Sequence, residues 1–263
     1  MKKLLKLAFV LTLPFFAVAC DGNNDKSTAE INEEMDEMKA RHKAELEKEF
    51  AENGTVSPET ESRHHKERME YLEATSEQTS GDQAKILKAI ADAMKESEEL
   101  SSKLSAPDKE FEDAFDYGTI KTVEDTEKKI KKLEEYAGEC DKYLEFIRNG
   151  YPERIRKGLE DEGIKSADVS KYMRQIKRNI KENQDLVEQY QIQERKIVDG
   201  VTAQLKLLKN NHGKWEWDAK EEVPLFEDSV EDAVIDAFNA QYDAIYKASQ
   251  KQSEIEEKLI QVQ

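Results

Sequence analysis

Two cysteines, five prolines, ten glycines and two tryptophans are spread over 263 residues, and each scarcity closes off an architecture. With glycine and proline so rare, a sheet-rich domain with many tight turns is excluded, and long helices are favoured. With only Cys20 and Cys140, a chain that commits Cys20 elsewhere has no intramolecular disulfide, so packing alone must hold the fold. No G-x-S-x-G, phosphate-cradling glycine loop or zinc-type ligand spacing occurs. The chain is therefore expected to be non-enzymatic, with no cofactor and no metal. Four histidines remain, at 42, 64, 65 and 212. His64 and His65 are adjacent, and neighbours on a helix point about 100° apart, so they do not face one ion together. They are expected on a solvated helix surface.

What the chain has in abundance is charge. Acidic residues number 58 against 41 basic ones, for a net charge of −17. Such a chain is repelled by phosphate backbones, which excludes nucleic acid as the partner.

The first residues, Met1-Lys2-Lys3-Leu4-Leu5-Lys6, lead into an apolar stretch from Leu7 to Phe16, and then into Ala17-Val18-Ala19-Cys20. The apolar stretch is about half of the roughly twenty residues a spanning helix needs, and Pro14 interrupts it. Basic start, short apolar core and small residues make the layout of an export signal over 1–19. The segment Ala17–Cys20 resembles the lipobox of bacterial lipoproteins, in which the cysteine is acylated and becomes the new N-terminus. That resemblance implies lipidation (palmitate among the acyl chains) at Cys20, attachment to a membrane, and a place in the cell envelope. In lipoproteins of enteric-type bacteria an aspartate after the cysteine resembles a signal for inner-membrane retention, and Asp21 holds that position. The implied location is the periplasmic face of the inner membrane, with the outer membrane as the alternative. Removal of residues 1–19 takes away Lys2, Lys3 and Lys6 and moves the net charge from −17 to −20.

The mature chain divides into an acidic segment over 20–81 and a helical domain over 82–263. Ser27 and Ser57-Pro58-Glu59 are helix starts, and Gly54 is a helix stop. Ile31, Met35, Met38, Leu46 and Phe50 give the first helix only a thin apolar stripe. This segment is expected to be a helical or partly disordered spacer, reaching about 38 Å as a 25-residue helix.

Beyond residue 81 the apolar periodicity sharpens. Ile86, Leu87, Ile90, Met94, Leu100 and Leu104 form one stripe. Val123, Thr126, Ile130, Leu133, Ala137, Cys140, Leu144 and Ile147 step by three and four, a heptad seam. Asn149-Gly150 ends it, and Pro152 opens a short helix. From Ser166 to about Asn210 two interleaved series of seven-residue spacing run through Met173, Ile180, Val187 and Val201, and through Val169, Ile176, Tyr190 and Ile197. Asn183, Glu194 and Gln204 interrupt them; such residues either fix register and partner number within a seam or face solvent where it is open, and solvent is the expectation here. A last helix carries Val230, Val234, Phe238, Tyr242, Ile245, Ala248 and Leu259. The fold expected is all-α: an elongated antiparallel three- to four-helix bundle with coiled-coil-like seams.

Three features bear on function. Arg148 to Lys181 holds ten basic residues against five acidic, with Lys171, Arg174, Arg178 and Lys181 on one helical face. That face is either simply solvated or a site for anionic lipid headgroups, an acidic partner or the chain's own acidic N-terminal helix. Trp215, Trp217 and Phe226 lie in one short connection, either as an interaction tip or as a plug over the core. Cys140, on a seam, is expected to be buried as a small apolar residue.

The function expected is a lipid-anchored cell-envelope protein with a structural or protein-binding role through its bundle; its oligomeric state stays open. The alternatives are a ligand-binding or inhibitor lipoprotein with an interhelical pocket near Trp215–Phe226, and an enzyme with carboxylates assembled in space. The last requires strongly shifted carboxylates in an apolar-walled cleft.

Overall fold

The computed structural model describes residues 27–105 and 109–262. Its helices are α1 (Thr28–Asn53), α2 (Pro58–Glu77), α3 (Gly81–Ser105), α4 (Lys109–Ala114), α5 (Val123–Glu145), α6 (Tyr151–Asp161), α7 (Ser166–Asn210) and α8 (Asp232–Val262). One hairpin, β1 (Trp215–Asp218) with β2 (Val223–Phe226), lies between α7 and α8. The fold is an all-α antiparallel bundle. The lipobox-like residues, Cys20 and Asp21 lie outside the described residues.

Local chemistry sets the helix ends. Ser27 and Glu30 form a reciprocal capping box at α1, and Thr122 and Asp125 form another at α5. Gly54 closes α1 at φ 71°, a left-handed conformation that costs glycine little. Ser57 then caps α2, with Pro58 in its first turn.

The 45-residue α7 is the axis of the molecule, about 67 Å long at 1.5 Å per residue. Along its C-terminal half, α5 runs antiparallel on one side, tied by Lys209–Glu127 and Arg195–Asp141. On another side runs α8, with Gln204 opposite Phe238 and Glu194 opposite Gln252. Gly200 makes the α7–α8 approach possible, since a Cβ there would sit 2.6 Å from Ile245. Along the N-terminal half, α3 starts beside the start of α7 (Tyr172 to Asp82, 3.1 Å), α2 packs antiparallel on α3, and α6 on its other side.

The acidic segment over 28–77 is helical, and it does not stand apart. α1 and α2 fold on each other and onto the bundle, burying Ile31, Met35, Leu46, Val56 and Leu72 in the common core. The thin stripe suffices because each helix is clamped from two sides. Thr55 and Val56, at the α1–α2 turn, both donate to Glu256 of α8 at 2.8 Å. Residue 81, where a domain border was expected, is a turn between packed helices, with Gly81 at φ 65°. The reach of α1 is thus spent alongside the bundle.

Two further expectations need correction. Asn149-Gly150 does not stop the helix; Phe146–Gly150 is a π-turn that carries α5 into α6, with the Tyr151 N–H reaching the Phe146 carbonyl. Gly150 is there because a Cβ would lie 2.6 Å from the Phe146 ring. Asn183, Glu194 and Gln204 do not face solvent; all three are buried. Gln204 accepts from Tyr117 Oη at 2.7 Å and donates to the Phe238 carbonyl at 3.2 Å. A long seam covered on several sides leaves polar positions inside, where they must be paired.

Candidate functional site

The basic face of α7 is where the sequence places it. Lys171, Arg174, Arg178 and Lys181 are all exposed, within the first four turns of the helix, and Lys177 flanks them. Lys181 pairs with Asp185 at 3.4 Å. Among the described residues Lys171, Arg174, Lys177 and Arg178 have no ion pair. Among the described residues α1 does not neutralise this face: its Arg41 pairs with Glu67 of α2 at 2.8 Å and its Glu45 with Arg63 at 2.5 Å. Where α8 ends beside α7, a groove of about 520 Å³ is rimmed by Arg178, Lys181 and Lys258, with Leu186 and Val262 in its wall.

The segment Trp215–Phe226 forms a hairpin whose alternation sorts its side chains. Trp215, Trp217, Pro224 and Phe226 turn toward the bundle, while Glu216, Val223 and Leu225 face out. Trp215 Nε1 donates to the Leu208 carbonyl at 3.0 Å. Trp217 packs edge-on against Tyr117 and so close to Gly118 that a Cβ there would lie 2.7 Å from Nε1. Phe226 meets Phe238 edge-on at 5.7 Å. The three aromatics named as a candidate tip are therefore a plug over the core, because two strands of period two send every second residue inward. The large apolar side chains left exposed among the described residues are Val223, Leu225, Tyr242 and Tyr246.

The histidines depart from expectation. His42, His64 and His65 are buried, not solvated. Their neighbourhood explains it: α2 is sandwiched between α1 and α3, and adjacent residues serve opposite sides. His64 faces α1, stacked on His42 at 3.9 Å with Nε2 3.0 Å from Glu45, and the His42 Nε2 lies 2.8 Å from Glu67. His65 faces α3, with Nε2 3.0 Å from the Met94 carbonyl. Burial depresses both His42 and His65 to a pKa of about 4. Among the described residues no cluster of three or more His, Cys, Asp or Glu is placed to hold a metal ion.

A buried acidic layer crosses the middle of the molecule. Glu61 of α2 is held well above the usual carboxylate range by burial and then by the nearby Glu256. Glu194 of α7 has no exposed surface; burial raises it to about 7, against the hydrogen bonds from Gln252 (2.6 Å) and Tyr136 (3.0 Å) that favour its charge. A carboxyl group near pKa 7 suits proton transfer. Glu61 and Glu194 are sealed between helices, however, and line neither the groove beside Arg178 nor a second groove of about 490 Å³ around Lys128 and Lys132. Cys140 is buried on its seam, and burial pushes its thiol upward, away from a nucleophilic thiolate.

The acidic layer was missed because it joins helices distant in sequence, and the histidine sandwich because helix periodicity does not show that α1 and α3 close on both sides of α2. Among the described residues no helix is long and apolar enough to cross a membrane. No family model, curated protein or solved structure matches this chain.

Proposed function

We propose that this is a lipid-anchored cell-envelope protein, attached through Cys20 at the periplasmic face of the inner membrane, whose bundle binds a protein partner. The observation that carries the binding role is where exposed apolar surface occurs. Val223, Leu225, Tyr242 and Tyr246 all belong to the hairpin and the first half of α8. This is the end of α7 remote from Ser27, where the described chain begins. An anchor at one end and tyrosines at the other suit presentation of a tip away from the bilayer, since tyrosine contributes large contact area at little entropic cost. The shifted carboxylates support binding over catalysis, being sealed from both grooves.

Two measurements test this. Palmitate labelling in a bacterial host should depend on Cys20, and a Cys20→Ser chain that still labels would remove the anchor. Photocrosslinking from positions 225 and 246 of the lipidated protein in native envelopes should capture a discrete protein; crosslinks to lipid alone would overturn the protein-binding role.

A further inference from the structure

The basic face of α7 and the start of α1 lie at the same end of the bundle. Tyr71, near the end of α2, donates to the Ile31 carbonyl in the second turn of α1. The chain turns from α2 into α3 at Gly81, and Asp82 accepts from Tyr172, beside Lys171. Residue 27 and the strip Lys171–Lys181 therefore share one end, where the side chains of the strip are exposed on the outer face of α7. If Cys20 carries the lipid, the seven residues from it to Ser27 span at most about 25 Å. The strip is then held within reach of the bilayer whatever path those residues take.

We propose that this face of α7, with the groove it shares with the end of α8, docks on a bilayer of anionic phospholipid. The inference rests on the anchored reading for its geometry and adds the orientation of the bundle. Charge complementarity selects the occupant. Lys171, Arg174, Lys177 and Arg178 form no ion pair among the described residues, in a chain of net charge −17. In the groove, Arg178, Lys181 and Lys258 stand beside the apolar Leu186 and Val262, an arrangement suited to a lipid phosphate with the first carbons of its chains. Glu182 and Asp185 border the same groove, so charge there is mixed, and the net cation excess lies toward the start of α7. The acidic residues at the hairpin end stand several screening lengths away, at about 8 Å each in physiological salt, and oppose docking little. The acidic first turns of α1 are nearer and oppose it more.

The test uses a chain beginning at residue 21, which retains every described residue and carries no lipid, so that failure of docking and failure of lipidation are read separately. Sedimentation is measured with vesicles of phosphatidylglycerol and phosphatidylcholine, and with phosphatidylcholine alone, at low salt. Binding is expected only to the anionic vesicles, and should fall steeply with salt. The triple variant Arg174→Gln, Arg178→Gln, Lys181→Gln should lower the partition coefficient about a hundredfold, at roughly fivefold per cation. A control replacing Lys128 and Lys132 by Gln should leave binding unchanged. The proposal is overturned by equal binding to both vesicle types, by no binding of the parent chain, or by a triple variant that binds like the parent. It is equally overturned if the triple variant loses an acidic protein partner from envelope extracts while vesicles bind neither chain. Palmitate labelling at Cys20 decides the anchor independently of all these outcomes.

Discussion

The two halves of α7 are built by different means. Beside its N-terminal half, α6 packs on it directly, α3 meets its start through Asp82 and Tyr172, and α1 and α2 form outer layers of the same core with charged and histidine side chains between them. Its C-terminal half has fewer neighbours, α5, α8 and a hairpin, and closes with aromatic rings: Trp217 on Tyr117, Tyr117 near Phe238, and Phe226 on Phe238. The difference teaches where stability and recognition can separate. Where many helices enclose the core, an outer face such as Lys171–Lys181 carries no packing and is free for a surface. Where few helices meet, aromatics must spend their rings on the core, and only the outward positions of the hairpin and α8 remain for contact.

The sharpest way to break this comparison is to remove a ring from the plug. Trp217→Ala should cost about 3 kcal/mol, because the indole packs against Gly118 and the Tyr117 ring and its loss leaves a cavity at the edge of the core. Neutralising Arg174, Arg178 and Lys181 should change stability by less than about 0.5 kcal/mol, because all three are exposed and their one ion pair, Lys181–Asp185, lies at the surface. Urea unfolding of both variants decides the matter. A cost below about 1 kcal/mol for Trp217→Ala would mean the hairpin is an appendage.

Acid should act on the histidine-bearing half first. His42 and His65 titrate near 4 in the fold, below the ordinary 6.5. The unfolded chain then binds more protons, and their stabilisation, complete above pH 6.5, is lost as pH falls toward 4. Glu61 works in the opposite sense, since its raised pKa makes its buried charge costly as pH rises. The two histidines lower stability as pH falls from 7 to 5, and in the same half Glu61 offsets part of that loss. Hydrogen exchange at pH 5 should show α1 and α2 opening before α7 and the hairpin. Simultaneous opening throughout would show the halves to be one cooperative unit.

Glu194, at the junction, should reverse that sign. Its folded pKa of about 7 lies above the ordinary 4.5, so it costs nothing below pH 4.5 and an increasing amount as pH rises to 7. Glu194→Gln removes the charge but keeps one acceptor for Tyr136 or Gln252. It should stabilise the protein by about 1–2 kcal/mol at pH 8 and lose that advantage at pH 5. Guanidinium unfolding at the two pH values checks the sign, and a gain at pH 5 matching that at pH 8 would place the cost elsewhere.

The helices were legible because their signals are local. Ser27, Gly54 and Ser57-Pro58 sit at or beside the ends they mark, and the seven-residue spacing of α7 survives three polar interruptions. The basic strip was legible for the same reason: four positions on one helix share a face wherever that helix lies. What escaped depends on neighbours from elsewhere in the chain. His64 and His65 look like surface residues until α1 and α3 close on both sides of α2. Glu194 looks like a gap in a seam until Tyr136 and Gln252 arrive from α5 and α8. Gly150 looks like a helix stop, and only the Phe146 ring turns it into a π-turn. The aromatic segment showed its alternation in sequence, but which side was covered depended on Tyr117 and Phe238.

The smallest effect on stability should accompany the largest effect on recognition. Tyr242 and Tyr246 are 46% and 52% exposed, one turn apart on α8, and their rings do not enter the aromatic plug. Among the described residues their one side-chain hydrogen bond runs from Gln250 to the Tyr246 hydroxyl, and it lies at the surface. Replacing both by Ser should change unfolding free energy by no more than about 0.5 kcal/mol, since Ser and Tyr are close in helix propensity and both rings are half exposed. If the hairpin end is the recognition surface, the same double variant should lose the protein captured by photocrosslinking from position 225. The Arg174, Arg178 and Lys181 variant should retain that capture in the lipidated protein, because its altered face lies at the other end of a 67 Å helix. Capture that survives loss of both tyrosines but not loss of the three cations would exchange the roles assigned to the two ends.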